Sequence, residues 1–247
     1  AALLELGFCE VYEVAMGADI GAVTEAHHYV EKVVSGELPF LLTSCCPSWS
    51  MLAKKYFPEI INQISNALTP MVATARSIKQ KYPDCKVVFI GPCAAKKLEA
   101  SRKSVRSDVD FVITFEELAA IFEAKGIDIE TFDKEAPMND ATGAGRGYAV
   151  SGGVADAIEQ CIHEYHQNID VLIEHAQGLS ECRKILTLAK SGKIQNCLIE
   201  GMACPGGCVG GAGTNIAVNR ATAEVKKFVK HSEQAIPNKE LAEIELL

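Results

Sequence analysis

Five of the ten cysteines in this chain fall in three short segments rich in proline, glycine and small residues. The segments are Thr43-Ser-Cys-Cys-Pro-Ser-Trp49, Gly91-Pro-Cys-Ala-Ala-Lys-Lys97 and Glu200-Gly-Met-Ala-Cys-Pro-Gly-Gly-Cys-Val-Gly-Gly-Ala-Gly-Thr214. Thiolates are soft metal ligands. Cys204 and Cys208 alone could form a redox pair or half of a zinc site. With two further proline-flanked sites the set becomes large enough for a [4Fe-4S] cube, which takes one thiolate per iron. The candidates are Cys45 or Cys46, together with Cys93, Cys204 and Cys208. A structural zinc site does not call for the five glycines between Gly206 and Gly213, where bare backbone can close against something large.

The elements that must position these segments alternate between short apolar strands and helices. Strands are expected at 10–14, 39–43, 86–91, 110–114, 170–173 and 196–200, those at 39–43 and 86–91 being apolar enough to be buried on both faces. Helices are expected at 3–7, 20–34, from Pro47, at 70–81, at 115–124 behind a Thr114-Phe-Glu-Glu117 capping box with Gly126 as its stop, at 153–163, at 180–191 and at 222–231. The glycine-rich 143–147 stretch reads as irregular, and 232–247 as a loosely held tail. Strands alternating with helices imply an α/β fold of mostly parallel sheet flanked by helices, as one domain over 1–247 or two lobes sharing a cleft. Ligands of such sheets gather at the carboxyl ends of the strands. All three cysteine segments lie just beyond such ends, so a cluster would be buried between them.

Composition narrows the function. Twenty-four basic against thirty-two acidic residues give a net charge of -8, which argues against a nucleic-acid surface. No run reaches the roughly 18 apolar residues of a membrane span, and the N-terminus lacks the features of a signal peptide. A cytoplasmic, thiol-reducing location is expected, with Cys9, Cys85, Cys161, Cys182 and Cys197 as ordinary core or surface thiols. The chain starts without methionine inside a helical pattern, as a fragment lacking an upstream segment would.

The three segments resemble those of the iron-only, or [FeFe], hydrogenases. The family's T-S-C-C-P-x-W is complete in Thr43 to Trp49, its P-C-x-x-K-K-x-E in Pro92 to Glu99, and its E-x-M-A-C-x-G-G-C in Glu200 to Cys208. The resemblance runs from the helix before Thr43 to the glycines after Cys208. It implies an H-cluster: a [4Fe-4S] cube joined through a cysteine sulfur to a two-iron subsite carrying CO, cyanide and a dithiolate amine. Carried over by position, Cys46, Cys93, Cys204 and Cys208 would ligate the cube, with Cys208 bridging to the two-iron unit. Cys45 would stay free and pass protons to the bridgehead amine. Lys96 would donate to a cyanide ligand, Met202 would pack the dithiolate, and Ser151 joins them as a cofactor-binding residue. Glu25 and Ser65 fall at relay positions, and His28 stands where the family has an outer glutamate.

The resemblance further implies reversible interconversion of H2 with protons and electrons, a ferredoxin-like electron partner, and maturation proteins that build the subsite. Departures from the family pattern occur at Ser48, Gly91, Ala155-Asp156 and Gly211-Ala-Gly-Thr214, all expected near the two-iron pocket. They point to a divergent, slow or H2-sensing branch. The alternative is a hydrogenase-like protein that holds only the cube, for electron transfer, signalling or cluster assembly.

Overall fold

The computed structural model describes residues 1–132, 138, 141–166 and 168–243. In chain order the regular elements are α1 (Ala2–Glu5), α2 (Ala15–His28), β1 (Phe40–Leu42), α3 (Pro47–Tyr56), α4 (Pro70–Lys81), β2 (Val88–Ile90), α5 (Ala95–Ala100), β3 (Phe111–Ile113) and α6 (Phe115–Lys125). They continue with α7 (Gly143–Gly147), α8 (Gly153–Tyr165), β4 (Leu172–Gln177), α9 (Leu179–Lys190), β5 (Cys197–Met202) and α10 (Val218–Lys230). A π-helical turn, Tyr29–Val34, extends α2. No helix among the described residues is long and apolar enough to cross a membrane.

The fold is α/β with two parallel sheets, one of order β1-β5-β4 and one pairing β2 with β3. In the first, Phe40 pairs with Cys197 and Leu42 with Ile199, while Leu172 through Gln177 run beside Cys197 through Met202. The central strand β5 is buried along its whole length. One of its faces is covered by α2 and α8 through Ala22, Ala26, Ile158 and Ile162. The other is covered by α3 and α9 through Trp49, Ala53, Cys182 and Leu186. Trp49 is fully buried and its Nε1 donates to the Thr43 carbonyl at 3.0 Å. A Cβ on Gly201 would fall 2.0 Å from the Trp49 ring, so the indole seats directly on the bare backbone of β5.

The second sheet is thinner. A small core of Met71, Val72, Ala75, Val105 and Val109 packs beneath it, with Phe89 and Val112 against that core. The strand at 86–91, expected to be buried on both faces, is only half-buried, because its sheet has two strands and Phe111 on β3 is 62% exposed. The two sheets are joined through α2 and α4, which approach so closely that a Cβ on Gly17 would lie 2.3 Å from the Pro70 carbonyl oxygen.

Three expectations fail here. Residues 10–14 form no strand; they run irregularly into α2, which starts at Ala15, ahead of the expected residue 20. The 143–147 stretch is a helix, α7, despite its glycines: Thr142 caps it by accepting from the Gly145 N–H, and Thr142 is itself held by its N–H and hydroxyl on Asp19 at 2.8 and 2.6 Å. The C-terminal stretch up to 243 is anchored rather than loose. Gly143 and Ala144 donate to the carbonyls of Gln234 and Ala235, and Ile236 and Leu241 pack on the α2/α8 core. Residues 244–247 lie outside the described residues. The remaining strands and helices fall within a few residues of expectation, including the Thr114 capping box and the left-handed Gly126.

Candidate metal centre

Each cysteine segment leaves the carboxyl end of a strand. Cys45 and Cys46 follow β1, and Cys46 is the residue before Pro47, which opens α3 at the position where a missing N–H costs nothing. The two neighbouring side chains diverge: Cys45 packs only on the α2/α8 side of the sheet, whereas Cys46 reaches both cores. Cys93 follows β2, and Cys204 and Cys208 follow β5.

The glycines of the last segment bring these ends together, in a way that differs from expectation. They close against protein. Gly213 N–H donates to the Pro92 carbonyl at 2.9 Å, and a Cβ on Gly211 would lie 2.3 Å from that same oxygen. The loop after β5 is thereby pressed onto Pro92-Cys93, which bridges the two sheets. Gly207 lies equally close to the backbone N of Ser151, whose N–H donates to the Gly206 carbonyl at 3.0 Å.

The result is a cavity of about 530 Å³ between the ends of the two sheets, with Cys45, Cys46, Cys93, Cys208, Lys96 and Met202 in its walls. Cys204 is half-buried behind it and Ser151 contributes backbone outside it. A larger cavity of about 810 Å³ lies under the N-terminal segment, against α4 and α6. Its cysteines, Cys9 and Cys85, belong to none of the three segments, so it is not the thiol site.

The buried thiols bear on one another's ionisation. Burial pushes Cys208 up to about 12, with Cys46, Cys93 and Cys204 adding to the rise and Lys96 opposing it. Cys204 is raised by burial and then by Cys46 and Cys93. Cys45 is raised well above the ordinary thiol range by burial, then by Glu25 and Cys46. Without a metal these groups are thiols, and a metal that binds them must displace protons. Among the described residues, no three His, Cys, Asp or Glu side chains converge as ligands of a single ion must. The soft donor set suits iron and sulfide.

Lys96 is 7% exposed, with Nζ 2.6 Å from a Glu99 carboxylate oxygen and 3.5 Å from the Cys45 carbonyl. Lys97 points outward to Glu117. On the other side of Cys45, Glu25 is buried, and burial raises its carboxyl to about 7 against the opposing hydrogen bonds from Ser44 and Ser65. Ser44 N–H and hydroxyl approach Glu25 Oε1 at 3.0 and 3.2 Å. The Ser65 hydroxyl then lies 3.4 Å from His28 Nδ1, and His28 is half-buried. Ser65 thus stands between Glu25, whose carboxyl it lowers, and His28, whose Nδ1 its hydroxyl reaches.

Sequence reasoning missed Ser44 and Glu99 as partners, although the i, i+3 spacing of Lys96 and Glu99 on a helix was a usable signal. It also missed Glu200, whose buried carboxylate accepts from the Gly152 and Ala155 N–H groups at 2.7 and 2.8 Å and ties α8 to β5. Of the departures from the family pattern, Gly91 and Thr214 line the cavity, Ala212 is exposed, and Ser48, Ala155 and Asp156 are not among its walls.

The chain is 31% identical over 254 residues to Iron hydrogenase 1 of Clostridium pasteurianum, an alignment covering 86% of this chain and 44% of that protein. It therefore spans under half of that relative's length. It is also 37% identical over 105 residues to the Cytosolic Fe-S cluster assembly factor NAR1 of Kluyveromyces lactis, covering 42% of this chain and 22% of that one. Its fold superposes on the apo [FeFe]-hydrogenase HydA1 from Chlamydomonas reinhardtii, in a cysteine-to-histidine variant, with a TM-score of 0.76 and 22% identity over 97% of this chain and 79% of the other. Residues 1–212 match the family described as "Iron only hydrogenase large subunit, C-terminal domain". The chain belongs to the iron-only hydrogenase large-subunit family, in its C-terminal domain.

Proposed function

We propose that this domain holds an H-cluster and interconverts H2 with protons and electrons, as a slow or H2-sensing member of its family. The observation that carries the reading is the junction of two features. A cavity walled by Cys46, Cys93, Cys208, Lys96 and Met202 also has the thiol of Cys45 in its wall, beside the buried Glu25 carboxyl, with the Ser65 and His28 pair next to that carboxyl. A protein that held only a cube would use the first feature and leave the second idle.

When bound, such a cluster supplies an iron site where H2 is split and a cube that stores an electron. Cys46, Cys93, Cys204 and Cys208 would hold the cube, with Cys208 reaching the second iron unit from deep in the cavity. Cys45 holds a proton at Sγ, because burial and the neighbouring Glu25 oppose its thiolate. Glu25, raised to about 7, gives and takes protons near neutral pH. Ser65 passes them between Glu25 and His28, whose ring is depressed from its usual value chiefly by burial and so releases protons readily. Lys96 is aligned by Glu99 to offer a donor to an anionic cofactor ligand, and Met202 supplies a soft apolar wall. Gly91 and Thr214, both in the wall, alter the cavity without removing a thiol. Electrons would pass to a ferredoxin-like partner, and separate maturation proteins would build the two-iron unit.

The stretch of 37% identity to a cluster-assembly factor favours a second reading, a cube-only protein in assembly or signalling. Dye-coupled H2 oxidation by the matured protein separates the two. The hydrogenase reading expects turnover that falls by roughly a hundredfold or more in Cys45→Ala, the scale of a lost proton-transfer group. No turnover in wild type holding about four irons per chain would support the cube-only reading and overturn ours.

A further inference from the structure

The 810 Å³ cavity under the N-terminal segment touches Val87, Val88, Phe89 and Ile90, four residues in a row. Successive side chains of a strand point to opposite faces, so a cavity that meets four of them in turn lies along the strand's edge. The backbone hydrogen bonds agree. Gly91 N–H donates to the Ile113 carbonyl and the Val87 carbonyl accepts from Asp110 and Phe111, so by alternation 87, 89 and 91 face β3. Val88 and Ile90 therefore turn their N–H and C=O groups to the other edge, where β2 has no neighbour in its sheet among the described residues. The same cavity is walled by Glu10, Val11, Tyr12 and Val14, the stretch whose sequence reads as a strand but which forms none. Met71 and Ile78 of α4 and Phe115 and Leu118 of α6 complete a largely apolar lining. Of these walls Val11, Val14, Tyr82 and Phe115 are still 37–39% exposed.

We infer that this cavity is the place of a strand supplied by the protein's own polypeptide outside residues 1–247, inserted between β2 and residues 10–14 and paired with both. The edge from Val87 to Ile90 is about 13 Å long, which sets the strand at four or five residues. Its side chains are apolar on both faces, as the lining requires, and it runs parallel to β2, as every strand pair among the described residues does. Such a strand gives Val88 and Ile90 their missing partners, and it gives residues 10–14 the neighbour without which a strand pattern cannot become a strand. The two-stranded sheet becomes four-stranded and backs Cys93 more firmly. The same polypeptide is the source because the matched fold covers only 79% of the HydA1 chain, so that relative carries polypeptide beyond it. A tethered strand also meets the edge at a far higher effective concentration than a free one. None of this depends on whether the thiol site turns over H2.

Amide hydrogen exchange, read residue by residue by NMR, tests this by comparing the full-length protein with the 1–247 chain. The amides of Val88 and Ile90, and those within residues 11–14, should exchange at least roughly tenfold more slowly in the full-length protein, the scale of one added hydrogen bond. The Gly91 amide, already bonded to Ile113, should be alike in both and serves as the control. Val88→Pro gives a second readout, because proline is tolerated on an open edge and not inside a sheet. It should lower the melting midpoint of the full-length protein clearly more than that of the 1–247 chain. Equal exchange at Val88 and Ile90 in the two proteins overturns the inference. Slowed exchange in β2 without any in residues 11–14 overturns the insertion between them. Protection in the 1–247 chain that grows with its concentration gives the edge to a second copy and overturns the assignment of the strand.

Discussion

The two sheets meet at one site but are built to different standards. The three-stranded sheet is covered on both faces, and its central strand carries a buried carboxylate, Glu200, and the two cysteines of the longest segment just beyond its end. The two-stranded sheet has a thin core under it and leaves Phe111 62% exposed, yet it supplies Cys93 and, through α5, Lys96. A rigid wall and a softer wall therefore enclose the cavity, joined by the glycine loop on Pro92.

The contrast can be broken from either direction. On the rigid side, Trp49→Ala should cost about 3–5 kcal/mol, the range for deleting a fully buried large aromatic, measured by denaturant unfolding. A cost below about 1 kcal/mol would mean that the three-stranded half is not the stable frame. Glu25→Gln should change how stability depends on pH. The folded carboxyl is raised from 4.5 to about 7, so its contribution is fully present below pH 4.5 and is lost as pH rises through 7. The wild type should therefore lose on the order of 3 kcal/mol across that window relative to the variant. Parallel curves for the two proteins would contradict the buried-carboxyl assignment.

On the softer side the expected effects on folding are smaller. Val112→Ala should cost about 1 kcal/mol, since the side chain is only partly buried against the small core. Cys93→Ala should leave apoprotein stability within about 0.5 kcal/mol while abolishing the cube, seen as loss of the roughly four irons per chain of reconstituted wild type. Phe111→Ala should fall within about 0.5 kcal/mol with iron content unchanged. A large destabilisation from Phe111→Ala would show that the second sheet is better buried than its exposure indicates.

Local signals in the sequence carried most of this architecture. Pro47 and Pro70 open helices where a ring without an N–H is tolerated, and Thr114 and Gly126 bound α6 as a capping box and a left-handed stop should. What was not legible depended on contacts across the chain. Three glycines within 143–147 argued for irregular backbone, but Asp19, more than a hundred residues earlier, pins Thr142 and makes α7 a helix. The glycines after Cys208 signalled close approach correctly, but Pro92 as the neighbour appears only when the two sheets are placed side by side. The line from Glu25 through Ser65 to His28 came from the family resemblance, since residues 37 apart give no periodic signal.

The central claim is that Cys46, Cys93, Cys204 and Cys208 hold a cube while the rest of the cavity houses a two-iron unit. Infrared spectroscopy of the protein after treatment with the maturation proteins tests it most directly. The account predicts stretching bands of bound CO and cyanide, with the cyanide bands displaced in Lys96→Met. A spectrum without those bands, in a protein whose cube is intact, would contradict it.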